Sequence, residues 1–191
     1  MTKFEVAVED HVAERVGAVV EAHIEESTAW WSGQLAAVHA IGKPAVRRAE
    51  LAKLRAERDR RRAAGEHFDT MSSVIVYQLL AVLDGKGWRG RRWRPIPHGE
   101  GELPGRRWGV APNSRGYLSG RLRVHLPADL AELMRRATWW TSAPATTRLQ
   151  ELAGYRTLSA DQLAERTRLR TQVITTGDLI REAADQLLPR S

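Results

Sequence analysis

The stretch from Gly85 to Gly120 decides which architectures are open to this chain. Pro95, Pro97 and Pro104, interleaved with Gly87, Gly90, Gly99, Gly101, Gly105 and Gly109, exclude a long helix there. Helical patterning must therefore stop before this stretch and resume after it. The expected fold is mainly α with a small β element. Residues 1–84 read as a helical N-terminal domain or bundle, residues 85–119 as a basic connector or hairpin, and residues 120–191 as a strand followed by helices.

From about Glu5 to Ser27, the apolar residues Val8, Val12, Val16, Val19, Val20 and Ile24 fall on one helical stripe, with Glu9, Glu14, Glu21 and Glu25 mostly off it. Thr28 and Ser32 flank Trp30-Trp31, which reads as a helix–helix connection or an anchor, and residues 34–41 as a short helix stopped by Gly42. Pro44 suits the first turn of a further helix over residues 43–64, whose apolar stripe (Ala45, Ala49, Ala52, Leu54) is thin. Asp69 or Thr70 can cap a helix running through Leu83, the most apolar part of the chain, where a buried strand over residues 74–77 competes. No apolar run approaches the roughly 20 residues that a membrane helix requires. The opening Met1-Thr2-Lys3-Phe4-Glu5 lacks the basic flank and apolar core of a signal peptide, so a cytoplasmic protein is expected.

Charge is unevenly placed. The chain carries 30 Lys and Arg against 23 Asp and Glu, for a net charge of +7. Residues 1–40 hold two basic and seven acidic side chains, residues 43–64 nine and three, and residues 86–123 ten and two. The first basic block can be neutralised by the acidic segment across a helix pair. That reading does not cover the second block, and a concentrated positive surface attracts polyanions. Within it, Trp88, Arg89, Arg91, Arg92, Trp93, Arg94, Arg106, Arg107 and Trp108 interleave arginine with tryptophan. Guanidinium groups meet phosphates and indoles stack on bases, so these nine residues are candidate nucleic-acid contacts. The competing reading puts the tryptophans in the core and leaves the arginines as a solvated loop face. A hairpin is also possible, with residues 106–111 and 117–126 joined through Asn113-Ser114-Arg115-Gly116.

Chemistry-bearing motifs are sparse. The absence of cysteine removes disulfide scaffolds, zinc fingers and thiol catalysis. Gly85-Lys86-Gly87-Trp88-Arg89-Gly90 matches the dinucleotide fingerprint in letters. It is followed by Arg91-Arg92-Trp93-Arg94-Pro95, which does not open the helix that pyrophosphate binding requires. The six histidines show no metal-ligand spacing, and His98 with Glu100 and Glu102 is an acid/base cluster that nothing else supports. No catalytic residue, metal or cofactor is expected.

Arg121-Leu122-Arg123-Val124-His125-Leu126 alternates strictly, with the apolar residues on one face and Arg121, Arg123 and His125 on the other. Pro127 ends this strand, and residues 128–137 read as a helix with Leu130, Leu133 and Met134 inward. Leu126-Pro127-Ala128-Asp129-Leu130 resembles the ribbon-helix-helix family of DNA-binding proteins, in which a short strand, Leu-Pro and two helices follow one another. The resemblance covers the C-terminal part only. It implies that strands from two subunits pair in the major groove, with Arg121, Arg123 and His125 reading base edges. The second helix is residues 146–153 or 174–183, the latter opened by Thr175-Thr176. Residues 126–132 and 158–165 are also similar, so a degenerate tandem copy with a second strand over residues 155–158 is a further possibility.

These features point to a nucleic-acid-binding accessory or regulatory protein, with DNA as the favoured partner and the N-terminal helices serving self-association or a protein partner. The alternative is a structural or adaptor protein whose Arg/Trp loop docks on another protein, because tryptophan and arginine are also the usual anchors of protein interfaces.

Overall fold

The computed structural model describes residues 1–97 and 118–188. In chain order the elements are β1 (Thr2–Val8), α1 (Asp10–His39), α2 (Pro44–Ala64), α3 (Met71–Gly85), β2 (Gly120–Leu126), α4 (Ala128–Ala153), α5 (Ala160–Gln172) and α6 (Thr176–Asp185). The protein is thus mainly α with a small β element, a single antiparallel pair of strands among the described residues.

β1 replaces the start of the helix expected from Glu5. It pairs with β2 in a register that sets Lys3 opposite His125, Glu5 opposite Arg123 and Val6 opposite Leu122. Val8 lies in the strand, and the helical stripe begins only at Val12. The remaining expected breaks in α1 are also absent. It runs 30 residues through Trp30-Trp31 and absorbs the short helix expected over residues 34–41. At 1.5 Å per residue it is about 45 Å long, and the buried Ser27 hydroxyl accepts from the Phe68 N–H at 2.8 Å, fixing the α2–α3 connection against its middle.

Local chemistry accounts for the other boundaries. Pro44 stands in the first turn of α2, and Gly65 ends it in the left-handed region at φ 75°. Thr70, Ser159 and Thr175 cap α3, α5 and α6 through reciprocal capping boxes with Ser73, Gln162 and Asp178. Residues 74–77 are helical, which removes the competing strand. Pro144 sits inside α4, so the expected helices at 128–137 and 146–153 are one. The proline deprives the Trp140 carbonyl of its usual donor, yet Ser142 and Ala145 on either side are buried and hold the helix in place. Residues 155–158 form no strand and Thr146-Thr147 cap nothing, so the tandem copy is not realised.

The principal core joins both ends of the sequence. The inner face of the sheet (Val6, Val8, Leu122, Val124, Leu126) packs in one cluster with Val74, Ile75, Leu79, Val82 and Leu83 of α3, Met134 of α4, and Leu179, Ile180, Ala183 and Ala184 of α6. Arg181 of α6 donates to the Ala7 carbonyl at 3.0 Å. A second, smaller cluster of Ala145, Leu152, Leu169 and Val173 seats α5 on the far end of α4. No helix among the described residues is long and apolar enough to cross a membrane.

Candidate nucleic-acid interface

The second basic block leaves α3 through Gly87, at φ 67°. The two tryptophans that follow are buried. Trp88 and Trp93 belong to the principal core, with ring centres 5.8 Å apart and planes at 78°, and the Trp93 indole N–H donates to the Trp88 carbonyl at 3.0 Å. This corrects the expectation that Trp88 and Trp93 present open rings for base stacking. Each indole carries a large apolar area, and hiding it next to α3 outweighs leaving it in water. The buried rings in turn pin the intervening residues outward.

Arg89, Arg91, Arg92 and Arg94 are accordingly exposed. Arg89 pairs with Asp84 at 2.9 Å. Arg91, Arg92 and Arg94 have no carboxylate partner among the described residues. The Arg91 guanidinium instead lies 4.4 Å from the centre of the Trp93 ring. α4 closes the other side, with the half-buried Trp140 donating its indole N–H to the Arg94 carbonyl at 2.9 Å. Between these walls is a cleft of about 390 Å³ lined by Arg91, Arg92, Trp93, Arg94, Trp140 and Thr141. Among the described residues its charged side chains are all cationic. Trp140 and Thr141 were not among the sequence candidates, because the 46 residues separating Trp140 from Arg94 carry no local signal of the contact.

On β2 the alternation is as expected: Leu122, Val124 and Leu126 are buried, and Arg121, Arg123 and His125 exposed. Their cross-strand neighbours come from β1. Glu5 stands 3.6 Å from Arg121 and 3.4 Å from Arg123, and Lys3 stands opposite His125. All three side chains of the Glu5 cluster are about half exposed or more, so each pair is worth no more than about 1 kcal/mol. One carboxylate against Lys3, Arg121 and Arg123 leaves this outer row positive. The His125 backbone N–H donates to Ser72 of α3 at 2.9 Å. Arg106, Arg107 and Trp108 lie outside the described residues, as do His98, Glu100, Glu102 and most of the suggested hairpin.

The first basic block makes no direct ion pair with the acidic segment, and none joins α1 to α2, among the described residues. The acids of α2 are paired within their own neighbourhood (Lys53 with Glu50, Arg60 and Arg61 with Glu57, Arg62 with Asp59), and Arg62 also reaches Asp69. The helices are joined instead by cation–π contacts, Arg58 over Trp31 and Arg61 over Trp30, each at 4.3 Å. The tryptophan pair is therefore an anchor for arginine. Beside it His67 is buried edge-on to Trp30, with its Nδ1 unpartnered and Nε2 3.5 Å from Asp69. Burial pushes the imidazole below its ordinary pKa of 6.5, against the opposing pull of Asp69.

Among the described residues no group of three or more His, Asp or Glu side chains is placed to hold a metal ion. The chain matches no family model, no curated protein and no solved structure.

Proposed function

We propose that this chain is a cytoplasmic nucleic-acid-binding protein of accessory or regulatory kind, with DNA as the favoured partner. The observation that carries the reading is the cleft, lined by Arg91, Arg92 and Arg94 with no carboxylate among the described residues of its lining. A guanidinium fork matches phosphate oxygens bidentately, and a concavity lined by one sign of charge focuses the field on an approaching polyanion. The outer row of β2 supplies a second basic surface through Arg121, Arg123 and His125, the role that the ribbon-helix-helix resemblance implies for them. Arg89 is held back by Asp84, and Trp88 and Trp93 act as supports. The α1–α2 pair serves self-association or a protein partner, a reading supported by the lack of any ion pair between the two helices among the described residues. No catalytic residue, metal or cofactor is assigned.

The test is a titration of the full chain against fluorescent duplex DNA, single-stranded DNA and RNA at two salt concentrations. Release of counterions from two or three phosphates gives a log–log salt slope of about −2 to −3. The Arg91→Ala/Arg92→Ala pair should weaken binding uniformly across sequences, and the Arg121→Ala/Arg123→Ala pair should relax sequence preference. Unchanged affinity in both variants refutes the assignment, and salt-resistant binding to a protein with no affinity for nucleic acid favours the adaptor alternative.

A further inference from the structure

Resting on that reading, we infer that the cleft between residues 91–94 and α4 takes an unpaired nucleotide, so that this site selects single-stranded nucleic acid over duplex.

Size is the first argument. About 390 Å³ lies within the roughly 300–1,000 Å³ in which pockets hold small ligands. That is room for one nucleotide and its flanking phosphates, and far too little for a double helix.

The chemistry of the walls is the second. The Arg91 guanidinium carbon is 4.4 Å from the centre of the Trp93 ring, and the side chain is exposed on the cleft lining, so its side away from the ring is accessible to another planar group. A guanidinium plane is a stacking surface for a base. The base would extend a stack that already runs from Trp93 to Arg91. In a duplex both faces of each base are occupied by its neighbours, so reaching this surface would require extrusion at a cost of a few kcal/mol. A single strand has that face free.

Preorganisation is the third. Trp93 is fixed by the Trp88 carbonyl and the core, and Trp140 by the Arg94 carbonyl and its edge-on packing against Trp139. Both walls are therefore set before a ligand arrives, and little side-chain entropy is lost on binding. Arg92 and Arg94 are exposed on the same lining and suit the phosphates that flank the stacked base. Among the described residues Thr141 is the neutral polar side chain on the lining, and none of them is an Asn, Gln, Asp or Glu that could read a Watson–Crick edge. The site should accordingly tolerate any base.

The experiment uses the full chain, a labelled oligothymidylate and a hairpin duplex of equal length, with fluorescence anisotropy as the readout. The oligothymidylate is expected to bind at least about tenfold more tightly than the hairpin. Arg91→Lys keeps the charge and loses the plane, and should weaken oligothymidylate binding roughly fivefold. Arg92→Lys keeps what a phosphate contact requires and should cost clearly less. Duplex bound as tightly as the single strand, or equal losses in the two lysine variants, overturns this inference and leaves the nucleic-acid reading standing. Failure to bind either probe overturns both.

Discussion

Tyr77 occupies the space that a side chain on Gly65 would need. A Cβ at residue 65 would overlap the Tyr77 ring at Cζ, and the tyrosine hydroxyl donates to the Ala64 carbonyl at 3.1 Å. The glycine is also required by its positive φ, so two independent demands fall on one position. Gly65→Ala should destabilise the protein by more than about 1 kcal/mol in urea unfolding. In a Tyr77→Ala background the same change should cost less, because only the backbone strain remains. Equal costs in the two backgrounds would show that the ring yields freely.

Glu5 is the carboxylate that faces both Arg121 and Arg123. Glu5→Gln should leave stability within about 1 kcal/mol, since both pairs are exposed. If the outer row of β2 meets a polyanion, the variant should bind DNA more tightly than the parent. Its salt slope should steepen by up to about 0.9 for each additional phosphate engaged. Identical slopes for parent and variant would remove this face from the interface.

The burial of His67 makes stability depend on pH with a definite sign. Its folded-state pKa lies below the unfolded value of 6.5, so the unfolded chain binds the proton first. The contribution of the neutral imidazole is complete above pH 6.5 and is lost as the pH falls from there toward the folded-state pKa. Urea midpoints should therefore drop between pH 7 and pH 5, and the drop should be shallower in His67→Gln. A variant as pH-sensitive as the parent would place the titration elsewhere.

Ile180 is fully buried where α6 meets the principal core. Ile180→Ala should cost roughly 2–5 kcal/mol, measured by chemical denaturation, with the spread set by how far the neighbouring side chains relax into the void. A loss below 1 kcal/mol would mean that the core closes over the gap.

β2 was legible because its inner face is buried and its outer face wet, so polarity follows the strand period residue by residue. β1 was not. Val6, Ala7 and Val8 are buried consecutively, and Val8 keeps step with Val12, Val16 and Val20, so the helical period of α1 runs back unbroken into the strand. The separate helices expected over residues 128–137 and 146–153 are one for the opposite reason, because a helix packed on both sides of Pro144 survives the loss of one hydrogen bond. At the candidate interface, composition announced arginine and tryptophan together. It could not say that the rings turn inward and the cations outward, since both arrangements share one sequence. The α4 wall of the cleft depends on tertiary packing and has no sequence pattern to betray it.

The pairing of β1 with β2 also has a consequence for biosynthesis. The first strand leaves the ribosome with its partner still more than a hundred residues from being made, an interval on the order of ten seconds at ordinary elongation rates. The long α1–α2 hairpin can form meanwhile, but the opening strand must wait with its backbone groups unmatched. A nascent chain halted before Leu126 should thus be a substrate for holding chaperones, and one released beyond α6 should not.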